Sequence, residues 1–135
     1  ASDGADKVLY TGSPHYIRFM DNLDHLDVYT EGRKIRYNNQ YNEKGINVNF
    51  VSLENEGIRV RTYERGVEDE TFSCGTGATA TAIAMNAIGK TTSNHIKLDV
   101  EGGKLEVSFT KEGSVYNNVL LKGPATFVFQ GEINL

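Results

Sequence analysis

This chain has almost none of the residues that staple a protein or fix it in a bilayer. Its 135 residues hold one cysteine, which excludes an internal disulfide and a multi-cysteine zinc site. It has no basic excess: 14 Lys and Arg stand against 18 Asp and Glu, for a net charge of −4. That balance argues against nucleic acid as a partner, because binding a phosphate backbone needs a basic face. No apolar run approaches the length of a membrane span. The opening residues Ala1-Ser2-Asp3-Gly4-Ala5-Asp6 are polar and lack the hydrophobic region of a signal peptide. A reducing, cytoplasmic setting without a membrane partner is expected. No His/Asp/Glu cluster has metal-ligand spacing, and no repeat, low-complexity tract or linker splits the chain. What remains is 39% hydrophobic and 24% charged, the composition of one folded soluble domain with a real core.

Strand signals dominate. Residues 1–6 read as a disordered lead-in or a cloning scar. Lys7–Tyr10 and His15–Met20 read as strands separated by Thr11-Gly12-Ser13-Pro14. The apolar residues between Leu26 and Tyr37 fit a helix loosely, and Gly32 weakens it by roughly 1 kcal/mol relative to alanine. Ile46–Leu53 and Ile58–Tyr63 alternate with period two around Glu56-Gly57, which predicts a hairpin. Val67–Ser73 reads as an acidic loop. Gly75–Ile88 is a helix of small residues that stops at Gly89. His95–Val100 and Lys104–Phe109 form a second hairpin, followed by strands at Val115–Leu121 and Ala125–Gln130. The sum is α+β: a curled, antiparallel or mixed sheet wrapped around a central small-residue helix. No parallel βαβ unit is expected.

The chemistry concentrates between Tyr63 and Gly89. Cys74 sits in Cys74-Gly75-Thr76-Gly77, a glycine turn that opens the helix. A helix start carries about half a positive charge and several unpaired N–H groups. It can hold a carboxylate and depress a neighbouring thiol's pKa, which suits an acid/base cysteine. A buried structural thiol is the bland alternative. The Gly-x-Gly pair alone does not make a phosphate loop, since the remaining fingerprint is missing. Upstream, the Arg65 fork can grip a carboxylate with two hydrogen bonds, and Glu64 can pair with an ammonium. A solvated pair of charges is the alternative there. Asn47 and Asn49 share one strand face and read as exposed-face residues. His15 reads as a turn histidine, and His25 and His95 as surface residues.

Tyr63-Glu64-Arg65-Gly66, Glu70-Thr71 and Cys74-Gly75-Thr76-Gly77-Ala78 together resemble the signature of the diaminopimelate epimerase family. Gly12-Ser13-Pro14-His15, Gly45-Ile46-Asn47-Val48 and Gly123-Pro124-Ala125 resemble further segments of that family, in the same order. The resemblance implies an enzyme about twice this length, with two similar halves facing a cleft. It implies no pyridoxal phosphate, metal or other cofactor. One cysteine on each half moves the α-proton of diaminopimelate, interconverting the L,L and meso forms on the route to lysine and peptidoglycan. Carried over by residue, Cys74 is one of the two acid/base groups. The N–H groups of Gly75 and Thr76 hold the carboxylate beside the reacting carbon. Glu64 takes the distal ammonium, Arg65 the distal carboxylate, and Asn47 helps to fix that end. Ser13 stands where the family usually has a substrate-binding asparagine, and its shorter hydroxyl suits a water-mediated contact. The loop Val67–Ser73 is one residue longer than the usual pattern.

The first-half cysteine turn has no counterpart here, so the chain reads as a C-terminal half: a domain at 7–124 and a terminal strand and tail at 125–135 that would complete the other half. Its expected partners are the small-molecule substrate, that N-terminal half, and further copies of itself through the bared cleft or the terminal strand. Alone it is expected to be inactive. Two other readings stay open. One is a proline racemase-like or phenazine-biosynthesis-like isomerase, against which Glu64-Arg65 argues, because proline has no distal amino-acid group. The other is a non-catalytic binding domain of the same fold.

Overall fold

The computed structural model describes residues 6–54, 57–72 and 75–123. The lead-in through residue 5, Cys74 and the expected terminal strand at 125–135 lie outside the described residues. Asp6, the last residue of the expected lead-in, accepts from Tyr16 Oη at 2.6 Å and from Arg18 Nη2 at 2.9 Å.

The chain runs β1 (Lys7–Tyr10), β2 (Pro14–Phe19), α1 (Val28–Arg36), β3 (Asn47–Glu54), β4 (Gly57–Glu64), β5 (Asp69–Thr71), α2 (Gly75–Ala87), β6 (His95–Val100), β7 (Gly103–Glu112) and β8 (Val115–Lys122). One sheet has the order β1-β2-β3-β4-β6-β7-β8, with β5 on β4. The predicted hairpins are present as β3–β4 and β6–β7, and β8 extends the second. Two pairings are parallel, β2 with β3 and β4 with β6. The expectation of no parallel βαβ unit is therefore wrong. Both β2–α1–β3 and β4–α2–β6 are such units, each with a helix in its crossover. Alternation along a strand reveals its faces but not the direction of its neighbour.

The sheet curls. Seven strands at about 4.8 Å spacing span nearly 30 Å if flat, yet α2 touches β1, β2 and β3 as well as β7 and β8. A helix about 10 Å wide reaches both ends only if the sheet bends around it. Small residues permit that enclosure: Gly77, Ala78, Ala80, Thr81, Ala82 and Ala84 are all buried, with the larger Met85 beside them. Ile17, Phe19, Val51, Val60, Leu98 and Val107 pack around them. The helix ends in a Schellman motif. Gly89 (φ 78°) donates to Asn86 O, and Lys90 to Met85 O.

Helix α1 covers the other side of the sheet through Val28 and Ile35, against Val48, Phe50 and Tyr63. Asp27 caps it, accepting from Thr30 N at 3.1 Å. Gly32 has a packing reason: a Cβ there would lie 2.4 Å from Tyr63 Cβ. The glycine that weakens the helical pattern is what lets the helix reach the sheet.

The stretch expected to be an acidic loop contains β5. Arg61 on β4 grips Glu70 with two hydrogen bonds, Nε to Oε2 at 2.8 Å and Nη2 to Oε1 at 2.7 Å. Just before it Glu68 makes a tight turn with φ 59°, its N–H on Glu64 O and its carboxylate on Gly66 N and Arg36 Nε. Strand β5 is thus held at its centre by Arg61 and at its start by the Glu68 turn.

Candidate active site

The N-terminus of α2 meets the β2 end that begins at Pro14. Thr11 Oγ1 donates to Thr76 O at 2.7 Å. Ser13 Oγ lies 3.1 Å from Thr76 Oγ1, and His15 Nε2 lies 2.8 Å from the same oxygen. Ser13 Oγ is also 3.0 Å from His15 Nε2. The helix sits this close because residue 77 is glycine: a Cβ there would fall 2.5 Å from Asn49 Oδ1 and 3.2 Å from His15 Cε1.

The strands behind carry the network onward. Asn47 is buried on β3. It donates to Ser13 Oγ at 3.3 Å and Pro14 O at 3.1 Å, and accepts from the Arg65 backbone N–H at 2.8 Å. Asn49, fully buried, reaches His15 Nδ1 at 2.9 Å and Tyr16 O at 3.2 Å, and accepts from Thr62 Oγ1 at 2.8 Å. Strand β3 thus joins the helix start to the end of β4, where Glu64 and Arg65 sit.

Glu64 is half-buried and accepts from Thr71 Oγ1 at 3.2 Å, which ties it to β5. The Arg65 guanidinium donates to Lys44 O at 3.0 Å, and its aliphatic stem lies where a side chain on Gly45 would be. Beside it lies a cavity of about 640 Å³ lined by residues including Tyr10, Pro14, Tyr41, Lys44 and Arg65. Burial, reinforced by the nearby Arg65 charge, lowers the His15 pKa from 6.5 to about 4. The ring is neutral at pH 7, so it can donate with one nitrogen and accept with the other.

The structure therefore brings Ser13, Asn47, Thr76 and the Arg65 backbone into one network, with Gly75 at its edge, while Glu64 is held separately by β5. Two expectations need correction. Asn47 and Asn49 are not on an exposed face; both are buried, Asn49 beneath Gly77 of α2 and Asn47 against Ser13, Pro14 and the Arg65 backbone. His15 is not a turn residue but a buried strand residue at the centre of the polar cluster. The signal was available in β3. Val51 follows the asparagines on their face while Val48 and Phe50 occupy the other, so neither face belongs to solvent. Thr11 and Thr62 carried no such signal. Among the described residues no group of three or more His, Cys, Asp or Glu could hold a metal ion, and no helix is long and apolar enough to cross a membrane.

Residues 7–128 match the family model described as diaminopimelate epimerase. The diaminopimelate epimerase of Flavobacterium psychrophilum is 60% identical over 126 residues, which cover 93% of this chain and 49% of that protein. That of Chlorobaculum tepidum is 44% identical over 127 residues, covering 93% and 48%. The chain spans about half the length of the curated relatives it matches. Among solved structures, a hydroxyproline epimerase from Agrobacterium vitis with bound trans-4-hydroxy-L-proline aligns with a TM-score of 0.64 at 13% identity, over 86% of this chain and 39% of that one. A phenazine biosynthesis protein of the PhzF family from Enterococcus faecalis aligns at 0.60 and 16%, over 83% and 38%. At such identities these two show the shared fold alone.

Proposed function

The chain belongs to the diaminopimelate epimerase family, and from that premise we propose that it forms one half of the site of a cofactor-independent epimerase acting on diaminopimelate. The observation that carries the proposal is the hydrogen-bonded path Thr76–Ser13–Asn47–Arg65 N–H. It ties the helix start, suited to one carboxylate, to the strand end suited to a distal amino-acid group. Two clamps on one scaffold fit a substrate with an amino-acid group at each end.

In this reading the N–H groups of Gly75 and Thr76 bind the carboxylate next to the reacting carbon, aided by the α2 dipole. Those donors stabilise the charge that spreads onto the carboxylate as the α-proton leaves. Cys74, immediately before α2, is the base or acid on one face of that carbon. The thiolate takes the proton from carbon, and a second thiol on the opposite face returns one, so the net change is inversion. Glu64 takes the distal ammonium and Arg65 the distal carboxylate. Asn47 serves that end by holding the Arg65 backbone, and Ser13 acts through water. The domain runs from 7 to 124.

One thiol cannot serve both faces of a carbon, so a second half must supply the other. Exposed apolar side chains agree with a covering partner: Phe72 is 79% exposed and Leu120 on β8 66%. The test is α-proton exchange of L,L-diaminopimelate in deuterated water. This chain alone is expected to show no exchange, and addition of a family N-terminal half to restore it in a Cys74-dependent manner. Exchange by the chain alone at the rate of a two-half family enzyme, or rescue that survives Cys74→Ala, refutes the reading.

A further inference from the structure

The buried end of the network assigns a proton. Asn49 Nδ2 lies 3.2 Å from Tyr16 O, and a backbone carbonyl can only accept. That contact sets the amide orientation, since turning the amide over would put two acceptors face to face. In this orientation Asn49 Oδ1 receives the Thr62 hydroxyl at 2.8 Å, and the second Nδ2 proton points at His15 Nδ1, 2.9 Å away. Nδ1 must then accept. A neutral imidazole carries one N–H, so the proton is on Nε2, which lies 2.8 Å from Thr76 Oγ1 and 3.0 Å from Ser13 Oγ. We propose that Asn49 is a positioning residue that fixes His15 as the neutral Nε2–H tautomer, so that the ring donates to the hydroxyl oxygens at the start of α2.

The alternative tautomer would reverse every polarity downstream. A ring protonated at Nδ1 would accept at Nε2 and draw the Ser13 or Thr76 proton inward. With Nε2 as donor, the ring gives a proton to those oxygens instead of taking theirs. A donor-rich helix start is what an anionic carboxylate needs; this consequence, though not the tautomer, rests on the function proposed above. Gly77 belongs to the same device, because a side chain there would displace the Asn49 oxygen. The charged groups on the surrounding elements are Lys7 on β1, Arg18 on β2, Glu54 on β3, and Arg59, Arg61 and Glu64 on β4 with Arg65 beyond it; α2 carries none. Of these, Arg65 adds to burial in disfavouring the imidazolium.

Long-range proton–nitrogen correlation spectra of the His15 ring test this directly. At pH 7 the protein is expected to show a protonated Nε2 and an unprotonated Nδ1, with no titration until pH about 4. Asn49→Asp keeps the shape but replaces the donor with an acceptor, and is expected to move the proton to Nδ1 and raise the ring's midpoint above its ordinary 6.5. Thr62→Val, a gentler change, is expected to leave the tautomer and loosen the amide, seen as faster exchange of the Asn49 side-chain protons. A protonated Nδ1 in the unsubstituted protein overturns the proposal without any variant, as does an Asn49→Asp ring whose Nδ1 stays unprotonated at pH 7. Titrating diaminopimelate into the same samples separates the two readings. The expected tautomer with no response to diaminopimelate supports this inference and counts against the substrate, whereas the wrong tautomer with a clear response does the reverse.

Discussion

The two faces of the sheet solve the same packing problem with different materials. Both receive a helix from a parallel crossover, and both admit it through a glycine, Gly32 against Tyr63 and Gly77 against Asn49 and His15. Under α1 the strands offer Val48, Phe50 and Tyr63. Under the start of α2 the same strands, one residue out of phase, offer Asn47, Asn49 and Thr62, with His15 beside them. Buried polar groups cost stability unless each is satisfied, whereas aliphatic ones need only fit. The α1 face is therefore scaffold, and the α2 face accepts a demanding hydrogen-bond pattern for the sake of a site.

Substitutions can test that division. The largest effect is expected from Phe50→Ala on the scaffold face, about 4 kcal/mol lost in urea unfolding. In the fraction that stays folded, the His15 ring signals should not move; if they do, the faces are not separable. Next comes acid. His15 is buried with its pKa lowered to about 4, so the unfolded chain takes up a proton below pH 6.5 that the folded chain refuses. Stability contributed by the neutral ring is full above pH 6.5 and is lost as the pH falls towards 4, by about 3 kcal/mol. The urea midpoint measured at pH 7 and 4.5 should show this loss, and His15→Gln should remove that component.

Gly77→Ala follows, at about 2 kcal/mol from overpacking against Asn49. Unlike Phe50→Ala, it should shift the His15 ring signals and loosen the Asn49 amide. Smallest is Asp27→Ala, which removes the α1 cap at about 1 kcal/mol. It should fray α1 in amide exchange and leave the ring spectrum unchanged.

Much of this was legible in the chain. The hairpins were, because alternation and glycine turns are local signals. So was α2 to within one residue of its end, since Gly89 takes the left-handed conformation that stops it. Family resemblance pointed to Asn47, Glu64, Arg65, Gly75 and Thr76, and the network brings most of them together. What escaped was non-local. Strand β5 is three residues held by the Arg61–Glu70 pair, a contact between separate segments. Parallel pairing leaves no mark in periodicity. Asn49 looked like a surface residue because a polar side chain on alternate positions usually means solvent. Only the helix lying on it, admitted by Gly77, makes that face an interior.

The join between β4 and β6 has a consequence for how the chain folds. It consists of two residue pairs, Ile58 with Leu98 and Arg59 with Asp99. On one side lie β1 to β5, on the other the local meander β6–β7–β8, and α2 spans both. Hairpins close short loops and form early, whereas this seam must wait for the whole α2 crossover to be laid down. The sheet is then two leaves that zip separately and are fastened last by the helix whose start carries the site. Pulsed amide labelling during refolding should find β3–β4 and β6–β7 protected before α2. Completion of the site would then coincide with completion of the fold, so no earlier intermediate would present an assembled carboxylate pocket.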